Sequence, residues 1–133
     1  MSGALAGKKI LVVDDDEKIL GIVSLFLREA GYEVHSTHDP LQALRLASEV
    51  HPALAILDVS MPRLNGFDLA AQIASDPDTA DLPFMFLSAA STERNIEDAR
   101  DVHARAYLEK PFRKDALLKT IRDILDDEDE RQP

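Results

Sequence analysis

The chain has 133 residues, 45% of them hydrophobic, which suits one folded domain with a filled core and leaves no room for a second of useful size. Its formal net charge of -10, from 25 acidic against 15 basic residues, argues against the basic footprint of direct nucleic-acid binding. The absence of cysteine excludes disulfides, thiolate zinc sites and cysteine nucleophiles. With no signal-peptide core and no apolar run near the ~20 residues of a membrane span, a cytoplasmic protein without membrane insertion is expected.

Short apolar runs alternate with amphipathic stretches, the pattern of βα units on a parallel sheet. Residues 8–13 read as a first strand. Residues 17–30 read as a helix with Leu20, Val23 and Leu27 on one face and Gly31 as its stop. Residues 33–37 form a more polar strand, suited to a sheet edge. Asp39 and Pro40 supply a cap and a proline at the first helical position, opening a helix through about Val50 that His51 and Pro52 break. A third strand covers 53–57, followed by a loop over 59–66 in which Pro62 and the pair Asn65, Gly66 are turn signals.

Phe67, Ala70, Ala71 and Ala74 then keep helical spacing, and a loop over 75–81 leads to a fourth strand at 83–87. A weaker helix at 92–100, a short fifth strand at 106–108 and a last helix at 113–125 complete the chain, with Leu117, Ile121 and Ile124 sharing a face. Five strands and five helices in strict alternation predict a three-layer, doubly wound α/β domain over residues 8–125, after a flexible N-terminal segment, 1–7. Residues 126–133 are expected to be an acidic tail or the start of a linker, because Asp126, Asp127, Glu128, Asp129 and Glu130 are five successive like charges.

Four apolar runs stop at a reactive polar residue. Ile10 to Val13 ends at Asp14 and Asp15, Leu54 to Leu57 at Asp58, and Phe84 to Leu87 at Ser88, while Tyr107 and Leu108 stand just before Lys110 and Pro111. Buried parallel strands read as continuous apolar runs, and ligands of open α/β sheets lie beyond the strands' carboxyl ends. The pattern therefore gathers three carboxylates, a hydroxyl and an ammonium around one crevice, a set suited to a divalent cation and a phosphoryl group. Asp14, Asp15 and Asp58 would be unfavourable together without a cation, and all-oxygen ligation is what Mg2+ prefers. Each residue alone has a plainer role. Asp58 or Ser88 can bond the turn after a strand, Lys110 can be solvated, and acids suit a helix N-terminus, the role assigned to Asp16 and Glu17.

Taken in their order and spacing, Ile10 to Asp15, Leu57 to Pro62 with Gly66, Ser88 with Ala89, and Tyr107 to Pro111 resemble the response-regulator receiver domain, over roughly residues 8–125. The resemblance implies a flavodoxin-like fold with parallel sheet order 2-1-3-4-5. It makes Asp58 the phosphoacceptor, with Lys110 and Ser88 binding the phosphoryl group. Asp15, Asp58 and the backbone carbonyl of Ser60 would ligate Mg2+, or Mn2+, directly, with Asp14 acting mainly through an intervening water. The peptide bond between Lys110 and Pro111 is typically cis in this family. In the implied switch, Ser88 moves toward the phosphoryl group and Tyr107 turns inward, repacking the face of the fourth helix, fifth strand and fifth helix. A static, half-buried tyrosine is the alternative. The implied partners are a sensor histidine kinase or histidine phosphotransfer protein and a downstream effector protein or domain. A phosphorylation-dependent dimer is also allowed.

Two positions depart from the family. His103 stands where glycine often ends the fourth helix, and the loop reads Arg63, Leu64, Asn65, Gly66 where an acidic residue more often precedes the glycine. Histidine tolerates positive φ less well than glycine, so either the helix ends differently or strain is stored. The four histidines form no ligand pattern with the carboxylates. A Mg2+-dependent phosphohydrolase with an aspartyl nucleophile would want an acid two residues after Asp58, where Ser60 stands. A flavodoxin-like cofactor binder would want a phosphate loop after the first strand, where Asp14 to Glu17 would repel phosphate. Small residues two positions after Asp58 and Ser88, namely Ser60 and Ala90, leave an in-line water path open, so fairly rapid self-dephosphorylation is expected.

Overall fold

The structure, a computed structural model, describes residues 7–61, 64–90 and 92–131. Five strands alternate with five helices: β1 (Lys9–Val13), α1 (Glu17–Glu29), β2 (Glu33–Thr37), α2 (Pro40–Val50), β3 (Leu54–Asp58), α3 (Gly66–Ser75), β4 (Phe84–Ser88), α4 (Glu93–Asp101), β5 (Ala106–Glu109) and α5 (Lys114–Arg131). The strands form one parallel sheet in the order β2-β1-β3-β4-β5, with β1, β3 and β4 in its middle. This is the doubly wound architecture that the alternation predicts, with the polar strand β2 at an edge. The predicted turn residue Pro62 and its neighbour Arg63, most of the N-terminal segment, and residues 132–133 lie outside the described residues.

The central strands are apolar throughout because both their faces are covered, and successive side chains serve opposite cores. Ile10, Val12, Leu54, Ile56, Met85 and Leu87 pack with Val23 and Leu27 of α1 and Leu117 and Ile121 of α5. Leu11, Val13, Ala55, Leu57, Phe84 and Phe86 pack instead with Ala43 and Ala47 of α2, Leu69 and Ile73 of α3, and Ala99 of α4. Side chains cap four of the helices at their start. Asp16, Asp39, Asn65 and Thr92 accept backbone N–H groups from the first turns of α1, α2, α3 and α4. Asp16, read from the sequence as an acid suited to a helix N-terminus, is the cap of α1.

The last helix does not stop at Leu125 but runs on through the acidic segment to Arg131. Acids at a helix C-terminus oppose its dipole and repel one another. Here, two cations from distant parts of the chain and one from the same helix counter them. Arg105 holds Asp127 and Glu128, Lys8 holds Asp129 at 3.0 Å, and Arg131 reaches Asp127 at 3.4 Å. Residues 126–131 are therefore helix, not a freely solvated tail.

His103 resolves the question its position raises. It adopts φ of 63°, its N–H bonds the Arg100 carbonyl at 3.0 Å, and the Ala104 N–H bonds the Ala99 carbonyl at 2.9 Å. That pair of bonds is the glycine-type helix ending, reached here with a histidine in the left-handed region.

Candidate functional site

Asp58 and Ser88 are the last residues of β3 and β4 themselves, and Asp14 and Asp15 follow β1 directly. Parallel pairing sets Val13 beside Leu57 and Asp58 beside Leu87, so these groups emerge at one rim of the sheet. Directly after β5 comes Lys110, whose backbone N–H bonds the Ser88 carbonyl at 2.7 Å. The Lys110–Pro111 bond is cis.

Lys110 Nζ donates to Asp14 Oδ2 at 2.8 Å and to Asp58 Oδ1 at 3.1 Å. Asp14 and Asp58 are only 1% and 4% exposed, whereas Asp15 is exposed. Acceptor atoms of Asp14, Asp15 and Asp58 all lie within 4.8 Å of one another. Asp14 Oδ1 also accepts the Asp16 N–H at 2.9 Å, which orients that carboxylate.

Charge is unbalanced here. Burial pushes the Asp58 carboxyl up to about 7, Asp14 adds repulsion, and Lys110 offsets only part of it. Burial also works against the Lys110 ammonium. The hydrogen bond and charge of Asp14, then Asp58, outweigh this and raise its pKa above the ordinary lysine range. Three carboxylates facing one ammonium leave an excess of negative charge on hard oxygen donors. That donor set fits a divalent cation such as Mg2+.

Gly66 supports the pocket from below. A Cβ there would lie 2.3 Å from the Asp58 carbonyl oxygen and 3.1 Å from Val59 Cα, while the Gly66 N–H bonds the Val59 carbonyl at 2.9 Å. The backbone carrying Asp58 can approach α3 so closely only because no side chain intervenes. The sequence marks Gly66 as a turn residue. Its contact with Asp58 is legible only in three dimensions.

Ser88 and Tyr107 belong to a second cluster at the same rim. Ser88 Oγ donates to the Ala90 carbonyl at 2.9 Å and accepts the Ala90 N–H at 3.1 Å. Half-buried Tyr107 donates its hydroxyl to that same carbonyl, and so does Asn95 Nδ2, at 3.1 Å. Asn95 and the Ala90 carbonyl escape a reading of the sequence, though Thr92, the cap that positions Asn95, is a visible helix-start signal. Ser60 is exposed beyond β3, and no hydrogen bond of its carbonyl is seen among the described residues.

Residues 10–122 match the family model for the response regulator receiver domain. The chain is 34% identical over 117 residues to the DNA-binding dual master transcriptional regulator RpaA of Synechocystis sp., covering 88% of this chain and 48% of that protein. It is 32% identical to the phosphate regulon transcriptional regulatory protein PhoB of Pseudomonas aeruginosa, covering 91% of this chain and 53% of the relative. The chain thus spans about half the length of the curated relatives it matches. Among solved structures, chemotaxis protein CheY4 of Vibrio cholerae superposes with a TM-score of 0.85 at 32% identity, over 90% of this chain and 99% of that one. A CheY-like receiver domain protein from Methanospirillum hungatei gives 0.89 at 25% identity, over 96% and 100%. With matching sequence over nearly its whole length and the same fold, this chain belongs to the response-regulator receiver domains, the phosphoacceptor switches of two-component signalling.

Proposed function

We propose that Asp58 is the residue that takes the phosphoryl group, from a phosphohistidine on a sensor kinase or phosphotransfer protein. The observation that carries this reading is the bridge of Lys110 between Asp14 and Asp58, with Asp15 close by. A carboxylate oxygen of Asp58 attacks phosphorus and forms an acyl phosphate, while the P–N bond breaks and the imidazole leaves with the electron pair. Lys110 is already placed to follow the new charge, and Ser88 supplies a neutral donor from the neighbouring strand. Asp14, Asp15 and Asp58, with the Ser60 carbonyl, are the groups that would hold Mg2+. The ion supplies compensation of charge on the phosphoryl oxygens.

In this reading the receiver domain, with α5 continuing to Arg131, works in the cytoplasm and turns over no metabolite. Among the described residues no helix is long and apolar enough to cross a membrane. The phosphorylated form would repack the face around Tyr107 and engage a downstream effector or a second copy. Ser60 and Ala90 are both small and exposed. They leave room for a water to attack the acyl phosphate, which returns the carboxylate and inorganic phosphate.

The test is incubation with acetyl phosphate, with and without Mg2+, followed by intact mass measurement. One hydroxylamine-labile phosphoryl group is expected in the presence of Mg2+ only, and none in the Asp58→Asn protein. Labelling that survives that substitution would overturn the assignment.

A further inference from the structure

We propose that Asn95 is a positioning residue of the switch. Its side-chain amide keeps the Ala90 carbonyl satisfied, so that the Ser88 hydroxyl can leave that carbonyl for a phosphoryl oxygen on Asp58. The inference rests on the phosphoacceptor reading above and adds to it a residue outside the acidic pocket.

Three donors from three elements converge on one acceptor. The Ala90 carbonyl receives Ser88 Oγ from the end of β4 at 2.9 Å, Asn95 Nδ2 from the first turn of α4 at 3.1 Å, and the Tyr107 hydroxyl from β5. A carbonyl oxygen has two lone pairs, and a hydroxyl has one proton to give. One donor is therefore in surplus, and it is the Ser88 hydroxyl, on the strand beside Asp58, that another acceptor can claim. Asn95 is held for its task, since its own backbone N–H is fixed on the Thr92 hydroxyl at 3.1 Å.

The partners of Ser88 give the idea its energetic content. In this structure its hydroxyl closes a local ring with Ala90, donating to the carbonyl and accepting the N–H. A phosphoryl group on Asp58 brings three strong acceptor oxygens to the strand next to Ser88. Turning toward them costs Ser88 the bond it donates to the Ala90 carbonyl. With Asn95 in place, the carbonyl keeps two donors after Ser88 departs. Without Asn95 it keeps one, from a tyrosine that solvent also reaches, and the turn costs about one hydrogen bond.

The test uses beryllofluoride with Mg2+ as a phosphoryl mimic, titrated calorimetrically against wild type, Asn95→Ala, Ser88→Ala and the double variant, with acetyl phosphate labelling of wild type alongside. Asn95→Ala should weaken beryllofluoride binding about fivefold, the equivalent of one hydrogen bond. In the Ser88→Ala background the same change should have no effect, and Asn95→Gln, which keeps the amide donor, should recover part of the loss. A purely structural role would instead weaken binding equally in both backgrounds. That result, or unchanged binding by Asn95→Ala, would overturn this inference alone. Wild type that takes no label would overturn it together with the phosphoacceptor reading.

Discussion

At the carboxyl rim of the sheet, Lys110 faces Asp14 and Asp58, which are 1% and 4% exposed. At the amino rim, Lys8 and Arg105 face Asp127, Glu128 and Asp129, and the Asp127 and Asp129 side chains are 49% and 43% exposed. Both rims set several acids against few cations, yet the consequences differ because Asp14 and Asp58 are shut away from water while the acids of the amino rim are not. In the dry cluster, burial first and then repulsion from Asp14 push the Asp58 carboxyl up to about 7, and the oxygen donors are left short of a cation. In the wet cluster solvent screens the same imbalance, and exposed pairs of this kind contribute only about 0–1 kcal/mol each. Charge composition alone thus marks neither rim as reactive. Burial, set by where the strands end, does.

The strongest way to break this contrast is to disturb the backbone beneath the dry cluster. Gly66→Ala puts a Cβ against the Asp58 carbonyl, and both partners are main chain, so neither can swing aside. We expect a loss of about 3 kcal/mol in urea denaturation, at the upper end of overpacking costs. Acetyl phosphate labelling of whatever remains folded should also fall. Stability close to wild type would mean that α3 can back away from β3, and that the pocket is less rigid than its geometry indicates.

The charge difference can be read directly from pH. Because the folded-state pKa of Asp58 is raised above the ordinary carboxylate value, the folded protein holds a proton that the unfolded chain releases. Stability from this group is therefore present below about pH 4 and lost as pH rises toward about 7. Asp58→Asn should stabilise the protein by about 1–3 kcal/mol at pH 8 without divalent ions and leave it nearly unchanged at pH 4. The matching change at the wet rim, Asp127→Asn, should stay within about 0.5 kcal/mol at both pH values. Urea midpoints at the two pH values decide the matter. Equal effects at the two rims would refute the role given to burial.

The dry cluster was legible in the sequence for a simple reason. Each of its carboxylates follows an apolar run, and parallel strands buried on both faces deliver whatever follows them to one rim. The wet cluster was not. A local reading of 126–130 sees only repulsion, because the cations that answer it, Lys8 and Arg105, lie 121 and 23 residues away in sequence. The Ala90 carbonyl was invisible for a different reason: a main-chain acceptor has no residue type to notice. Gly66 was half legible, as a turn residue whose contact with Asp58 depends on how α3 packs.

A smaller effect separates the wet rim's function from its charge. Arg105→Ala removes the guanidinium shared by Asp127 and Glu128, leaving Arg131 as their remaining basic partner. We expect a loss of about 1 kcal/mol at low ionic strength, fading as salt is added. Amide exchange over residues 126–131 should speed up while the sheet stays protected, since the last turns of α5 then face their own repulsion with less help. An unchanged exchange pattern would show that α5 keeps its length without this cation.

The smallest effect expected concerns backbone strain rather than charge, and it lies on the amino side of the sheet, where α4 hands over to β5. His103 sits at φ of 63° and is exposed, while both bonds of the helix ending involve main-chain atoms that any residue supplies. A left-handed conformation costs a side-chain-bearing residue roughly 1–2 kcal/mol, and glycine avoids this at the expense of about 0.5–1 kcal/mol in unfolded-state freedom. His103→Gly should therefore raise stability by about 0.5 kcal/mol, a shift of about 2 °C in Tm for a domain of this size. Because the gain arises in the backbone, His103→Ala, which removes the imidazole but keeps a side chain, should not reproduce it. An equal gain from His103→Ala would mean that the imidazole, not the dihedral angle, governs how α4 ends.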